Sequence, residues 1–96
     1  MIRDSLSGRY FYSTIEKIKN AEIDLNYKQI NQDFVSCNEY YDILGLEATT
    51  DGETLGWNVS SGKIKFVYSY VAGPNDEPCL NIGFDYQPNP RYRELY

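Results

Sequence analysis

The chain has 96 residues, 42% of them hydrophobic and 24% charged, with a net charge of −5, ten tyrosines and no histidine. That length supplies one core, since folding such a chain buries only about 60 to 70% of its unfolded surface, and the composition excludes disorder and fibrous repeats. The negative charge argues against a nucleic-acid backbone or an anionic membrane as a direct partner, and the missing histidine removes the commonest general base.

Residues 1–8 read as a lead-in arm, followed by a short aromatic run, Arg9-Tyr10-Phe11-Tyr12, suited to an edge strand. Ser13-Thr14-Ile15-Glu16 has the S-x-x-E form of a capping box and predicts a helix start at Thr14. Ile15, Ile18, Ala21 and Leu25 recur at helical spacing, so about five turns of amphipathic helix extend to near Gln32, with Ile23, Tyr27, Ile30 and Phe34 expected to widen the apolar face. A second box, Ser36-Cys37-Asn38-Glu39, opens another helix, with Val35 and Tyr40 as a hydrophobic staple and Gly45 as its stop.

Residues 46–53 form a polar loop with Asp51-Gly52 as its turn, after which Leu55-Gly56-Trp57 returns a large ring to the core. Lys63 to Val71 and Leu80 to Tyr86 alternate apolar and polar residues, which predicts two strands joined by a hairpin loop at 72–78. Ser60-Ser61-Gly62 is expected to turn a short strand around Trp57 into the first of them, giving an antiparallel meander. Gln87-Pro88-Asn89-Pro90 cannot continue a ladder, so the last residues form a tail, docked through Tyr92 or Tyr96. The expected fold is α+β: two helices on one face of a three- or four-stranded antiparallel sheet, in a single domain spanning 1–96.

The sequence carries little chemistry. Cys37 and Cys79 are far apart and have no histidine to complete a zinc set, so no metal and no cofactor are expected. Cys37 lies near a helix start, which favours a thiolate, but no base stands beside it, and a packing role fits better. Asp51 and Glu53 alternate along one side of the loop, a weak signal for acid–base work. Phosphate-binding glycine motifs are absent, and the expectation is a protein that is not an enzyme. No apolar run reaches the roughly 18 residues of a spanning helix, and the start lacks the apolar stretch of a signal peptide, so the chain is expected in the cytoplasm with no membrane segment of its own.

Charge distribution is the remaining signal. Between Lys28 and Lys63 there is no lysine or arginine, while Asp33, Glu39, Asp42, Glu47, Asp51 and Glu53 are interleaved with Tyr40 and Tyr41. Such runs commonly serve solubility. The sharper expectation is a docking face for a basic protein surface made by Glu39, Tyr40, Tyr41, Asp42, Glu47, Asp51 and Glu53, because a field of one sign steers association and tyrosines anchor it.

The segments SGRYFYSTIE, AEIDLNY, VSCNEYYDILGL and LGWN, with Pro78-Cys79 after the hairpin loop, resemble the C-terminal domain of a family of unknown function found in phages and prophages of Gram-positive bacteria. The resemblance implies an apolar region before this domain in longer members. The sequence here does not include one, so it is read as either a free-standing relative or a fragment, and membrane tethering is not carried over. The resemblance implies a phage setting, with the host cytoplasm as its place, and supplies no catalytic residues. Joined to the acidic belt, it raises the expectation of an inhibitor of a host defence nuclease that blocks a basic nucleic-acid-binding groove. The alternatives are a structural or accessory domain of a phage particle or phage membrane protein, and a tyrosine-lined sponge for a small ligand.

Overall fold

The computed structural model describes residues 1–92. Strand β1 (Ile2–Asp4) and strand β2 (Tyr10–Phe11) precede helix α1 (Ile15–Gln32); strand β3 (Phe34–Ser36) then runs directly into helix α2 (Cys37–Leu44). After a 3-10 turn at Asp51–Glu53 come strand β4 (Gly56–Asn58), a second 3-10 turn, and the hairpin of β5 (Phe66–Ala72) and β6 (Pro78–Phe84). The fold is α+β, with a four-stranded mixed sheet in the order β2-β1-β6-β5 and a separate antiparallel pair β3-β4. The helices contact each other and β3.

Two strands differ from expectation. The lead-in arm contains β1, which lies parallel to β6 with Ile2 opposite Leu80 and Asp4 opposite Ile82, so the sheet is mixed rather than antiparallel. Three residues carry too short a pattern to announce a strand, and the ladder is made by residues at the other end of the chain. The Trp57 strand, β4, pairs with β3 instead of joining the meander, with Val35 opposite Trp57. Tyr92 does dock: its ring is buried edge-on against Phe34, and its hydroxyl donates to the Glu53 carbonyl at 2.7 Å. Tyr96 lies outside the described residues.

Helix α1 starts one residue later than its capping signal. Thr14, not Ser13, is the N-cap, its Oγ1 accepting from the Lys17 amide at 3.2 Å. Two adjacent hydroxyl residues compete for that position, and local pattern does not separate them. Ile18, Ala21 and Leu25 are buried as the periodicity requires, but Ile23, Tyr27 and Ile30 are exposed. Spaced i, i+4, i+7, these three make a stripe of their own. The inward positions beside Leu25 belong to Asn26 and Gln29. Asn26 takes both backbone groups of Ile64, accepting from its amide and donating to its carbonyl at 2.8 Å each, and Gln29 donates to the Asn58 carbonyl at 2.8 Å.

Helix α2 has the full capping box. The Glu39 amide donates to the Ser36 hydroxyl at 3.2 Å, and the Ser36 amide donates to the Glu39 carboxylate at 2.8 Å. Gly45 closes it at φ 82°, where a Cβ would be strained. The core centres on Tyr40, whose ring meets Phe84, Phe66 and Trp57 edge-on at 5.1, 5.8 and 6.3 Å. Trp57 donates its indole N–H to the Tyr86 carbonyl at 2.7 Å. A capped helix thus fixes the ring that joins both sheets.

Candidate functional site: the acidic face of the second helix and its loop

The structure divides the predicted docking residues. Asp42, Glu47 and Asp51 are exposed. Glu39 is half-buried and committed to its capping box, with a further hydrogen bond accepted from the Gln32 amide at 2.9 Å. Glu53 is exposed and accepts from Asn38 at 3.0 Å. Tyr40 and Tyr41 are 1% and 4% exposed and belong to the core, so they offer no contact surface. Successive helix residues step about 100° around the axis, so Tyr40 and Tyr41 share one broad inward face while Glu39 and Asp42 fall to either side of it.

Asn38 organises the loop, and sequence reasoning missed it. Its carbonyl oxygen accepts from the Thr49 amide at 2.8 Å, while its amide donates to the Thr49 carbonyl and the Glu53 carboxylate, each at 3.0 Å. Only a polar residue in a helix that must bury most of its side chains could have hinted at this. Gly52 packs so closely over Asn38 that a Cβ there would collide with it.

The belt also contains a base that linear spacing hides. Arg9 arrives from β2's approach, donates to the Glu47 carbonyl at 2.8 Å, and lays its guanidinium over the Tyr41 ring, 4.6 Å from the centroid. The face therefore remains strongly acidic, with one arginine at its margin. Two shallow clefts flank it. One, of about 400 Å³, is lined by Gln32, Phe34, Ser36, Glu39, Glu53 and Tyr92; the other, of about 370 Å³, has Cys37, Tyr41 and Asp51 in its wall.

Burial, and then the charge of Asp4, pushes the Cys37 thiol from 9.0 up to about 12, so at neutral pH it is a protonated packing group. Both cysteines are free and buried. Among the described residues there is no cluster of three or more side chains able to hold a metal ion, and no helix long and apolar enough to cross a membrane.

The same environment predicts an alkaline limit to stability. Burial and Asp4 raise the Tyr41 phenol from 10.0 to about 12, and burial, the Asp4 charge and the hydrogen bond to it raise Tyr40 as well. These groups hold their protons more tightly folded than unfolded. Their contribution is complete below the unfolded values and is lost as pH rises through the folded ones. Urea unfolding should therefore show constant stability up to about pH 9 and a decline between pH 9 and about 12. A flat profile to pH 11.5 would show that these groups are not held as the burial implies.

No curated protein and no solved structure matches the chain. A family profile does, over residues 1–93, a span that takes in β1, both helices, the acidic loop and the hairpin alike. On that match the chain belongs to the DUF6353 family, a family of unknown function.

Proposed function

We propose that this domain is a non-catalytic protein-binding module that sets the acidic face of α2 and its loop against a basic surface of another protein. The observation that carries the reading is the placement of Asp42, Glu47 and Asp51, all exposed on an element held by a capping box and by Asn38. Carboxylates displayed on a rigid support lose little freedom on docking and steer a basic partner toward them. In finer form, the partner is a nucleic-acid-binding groove of a host defence nuclease, which the carboxylates enter in place of phosphates, in the host cytoplasm and in a phage or prophage setting.

The test is capture by wild-type bait and by the variant D42K/E47K/D51K, followed by competition of the captured complex with duplex DNA. Reversal of three exposed charges should weaken capture of a basic nucleic-acid-binding protein by roughly 100-fold without changing the fold. DNA should displace the wild-type bait. Capture that survives both the reversal and the competing DNA would place the interface elsewhere.

A further inference from the structure

The outer strand of the hairpin β5-β6 is a sheet edge. In the order β2-β1-β6-β5, strand β5 has a neighbour on one side only. Its pairing with β6 runs unbroken from Phe66 opposite Phe84 to Ala72 opposite Pro78, with no bulge. The Asp85 amide donates to the Lys65 carbonyl and the Gly73 amide to the Glu77 carbonyl, so the odd-numbered residues of β5 bond inward to β6. The even-numbered residues Phe66, Tyr68, Tyr70 and Ala72 turn their backbone groups outward. Helix α1 takes the first of these: the Phe66 amide donates to the Glu22 carboxylate at 2.6 Å. Among the described residues nothing pairs the amides and carbonyls of Tyr68, Tyr70 and Ala72.

Exposed edges are normally blunted by charge, proline, a bulge or a covering element. From Phe66 to Ala72 this strand has no charge, no proline and no bulge, and among the described residues the hydrogen bonds to its outer edge end at Phe66. Its side chains are also unusually apolar for a free edge, with Tyr70 78% and Val67 49% exposed.

We infer that β5 is a homodimerisation edge, on which a second copy of the chain adds its own β5 antiparallel about a two-fold axis at Ser69. In that register Tyr68 exchanges backbone hydrogen bonds with Tyr70 of the second copy, so the groups left open in one chain satisfy those in the other. Tyr70 then packs beside the second copy's Tyr68 on the face that also carries Leu80 and Ile82, and Val67 meets the second copy's Val71 on the opposite face. Charge favours a second copy over an unrelated strand. Lys63 and Lys65 precede β5, and Asp76 and Glu77 lie in the loop that follows it. Antiparallel pairing brings the basic start of one strand to the acidic loop of the other at both ends of the ladder. The result is one eight-stranded sheet. This inference is independent of the acidic face, which lies on α2 and its loop.

The test is sedimentation equilibrium together with an engineered cross-link. Wild-type protein should sediment at twice the 11.1 kDa of the chain at concentrations of tens of micromolar. Ser69 is exposed and bonds inward, so Ser69→Lys leaves the fold intact but sets two lysines face to face across the axis. It should raise the dissociation constant about fivefold, because like charges directly opposite are destabilising. Mixing it with Ser69→Glu should restore association. A residue at a non-hydrogen-bonded antiparallel pair lies about 4.5 Å from its counterpart, within disulfide reach, so Ser69→Cys should form an intermolecular disulfide under mild oxidation. A wild-type monomer at 1 mM, an unweakened Ser69→Lys dimer, or a dimer that Ser69→Cys fails to cross-link would each overturn the proposal.

Discussion

Replacing Asp4 with alanine is expected to lower the stability of the domain by about 3 kcal/mol, equivalent to a fall of roughly 12 to 24 °C in melting temperature for a chain of this size. Asp4 is fully buried, and its carboxylate collects four donors: the Tyr40 hydroxyl at 2.8 Å, the Ser7 hydroxyl at 2.6 Å, and the amides of Ser7 and Leu6 at 2.9 and 3.2 Å. It therefore closes the turn after β1 and pins the central ring of the core to the sheet. Truncation leaves those donors buried without an acceptor, and an unmade buried hydrogen bond costs more than a made one contributes. Asp4→Asn keeps the size and one acceptor, and the Tyr40 and Ser7 hydroxyls can rotate to accept from the new amide, so about half the loss is expected. Urea unfolding of both variants, with Tyr40→Phe added to each, measures the coupling. A loss below 1 kcal/mol for Asp4→Ala would show that water replaces the carboxylate and that the site is not sealed.

Asp4 also marks where the sequence stops being readable. Helix α2 was legible because all its signals are local: Ser36 and Glu39 for the box, Val35 and Tyr40 for the staple, Gly45 for the stop. The alternation in β5 and β6 was legible for the same reason. Strand β1 was not, because three residues hold too short a period and its partner lies some 78 positions away, as the Arg3–Asn81 contact shows. Likewise Asn26 and Gln29 look like a polar helix face until Ile64 and Asn58 arrive to bond them, and only then do Ile23, Tyr27 and Ile30 become the outer stripe. At the candidate site the exposed carboxylates could be read from charge spacing. The burial of Tyr40 and Tyr41, the approach of Arg9 and the bracing by Asn38 could not, since each depends on contacts between distant segments.

Gly56 is the position where such distant segments converge most tightly, and Gly56→Ala is expected to cost about 3 kcal/mol through overpacking. Gly56 begins β4 opposite Ser36, exchanges hydrogen bonds with Asn89 at 2.7 and 3.2 Å, and lies under the Tyr92 ring. An added Cβ would run into the Val35 carbonyl and stand 2.7 to 2.8 Å from two ring carbons of Tyr92. The ring can tilt, but the carbonyl belongs to the paired strand β3, which cannot withdraw without opening the β3-β4 ladder and unseating the ring of Trp57. Tyr92→Ala in the same chain should therefore leave most of the loss in place. Release of the segment that carries Asn89 and Tyr92 should appear as faster tryptic cleavage after Arg91, and because the Tyr92 hydroxyl holds the Glu53 carbonyl, the acidic loop should loosen with it. Full rescue by Tyr92→Ala would mean that the ring alone excludes a side chain at this position, and that β3 and β4 are free to part.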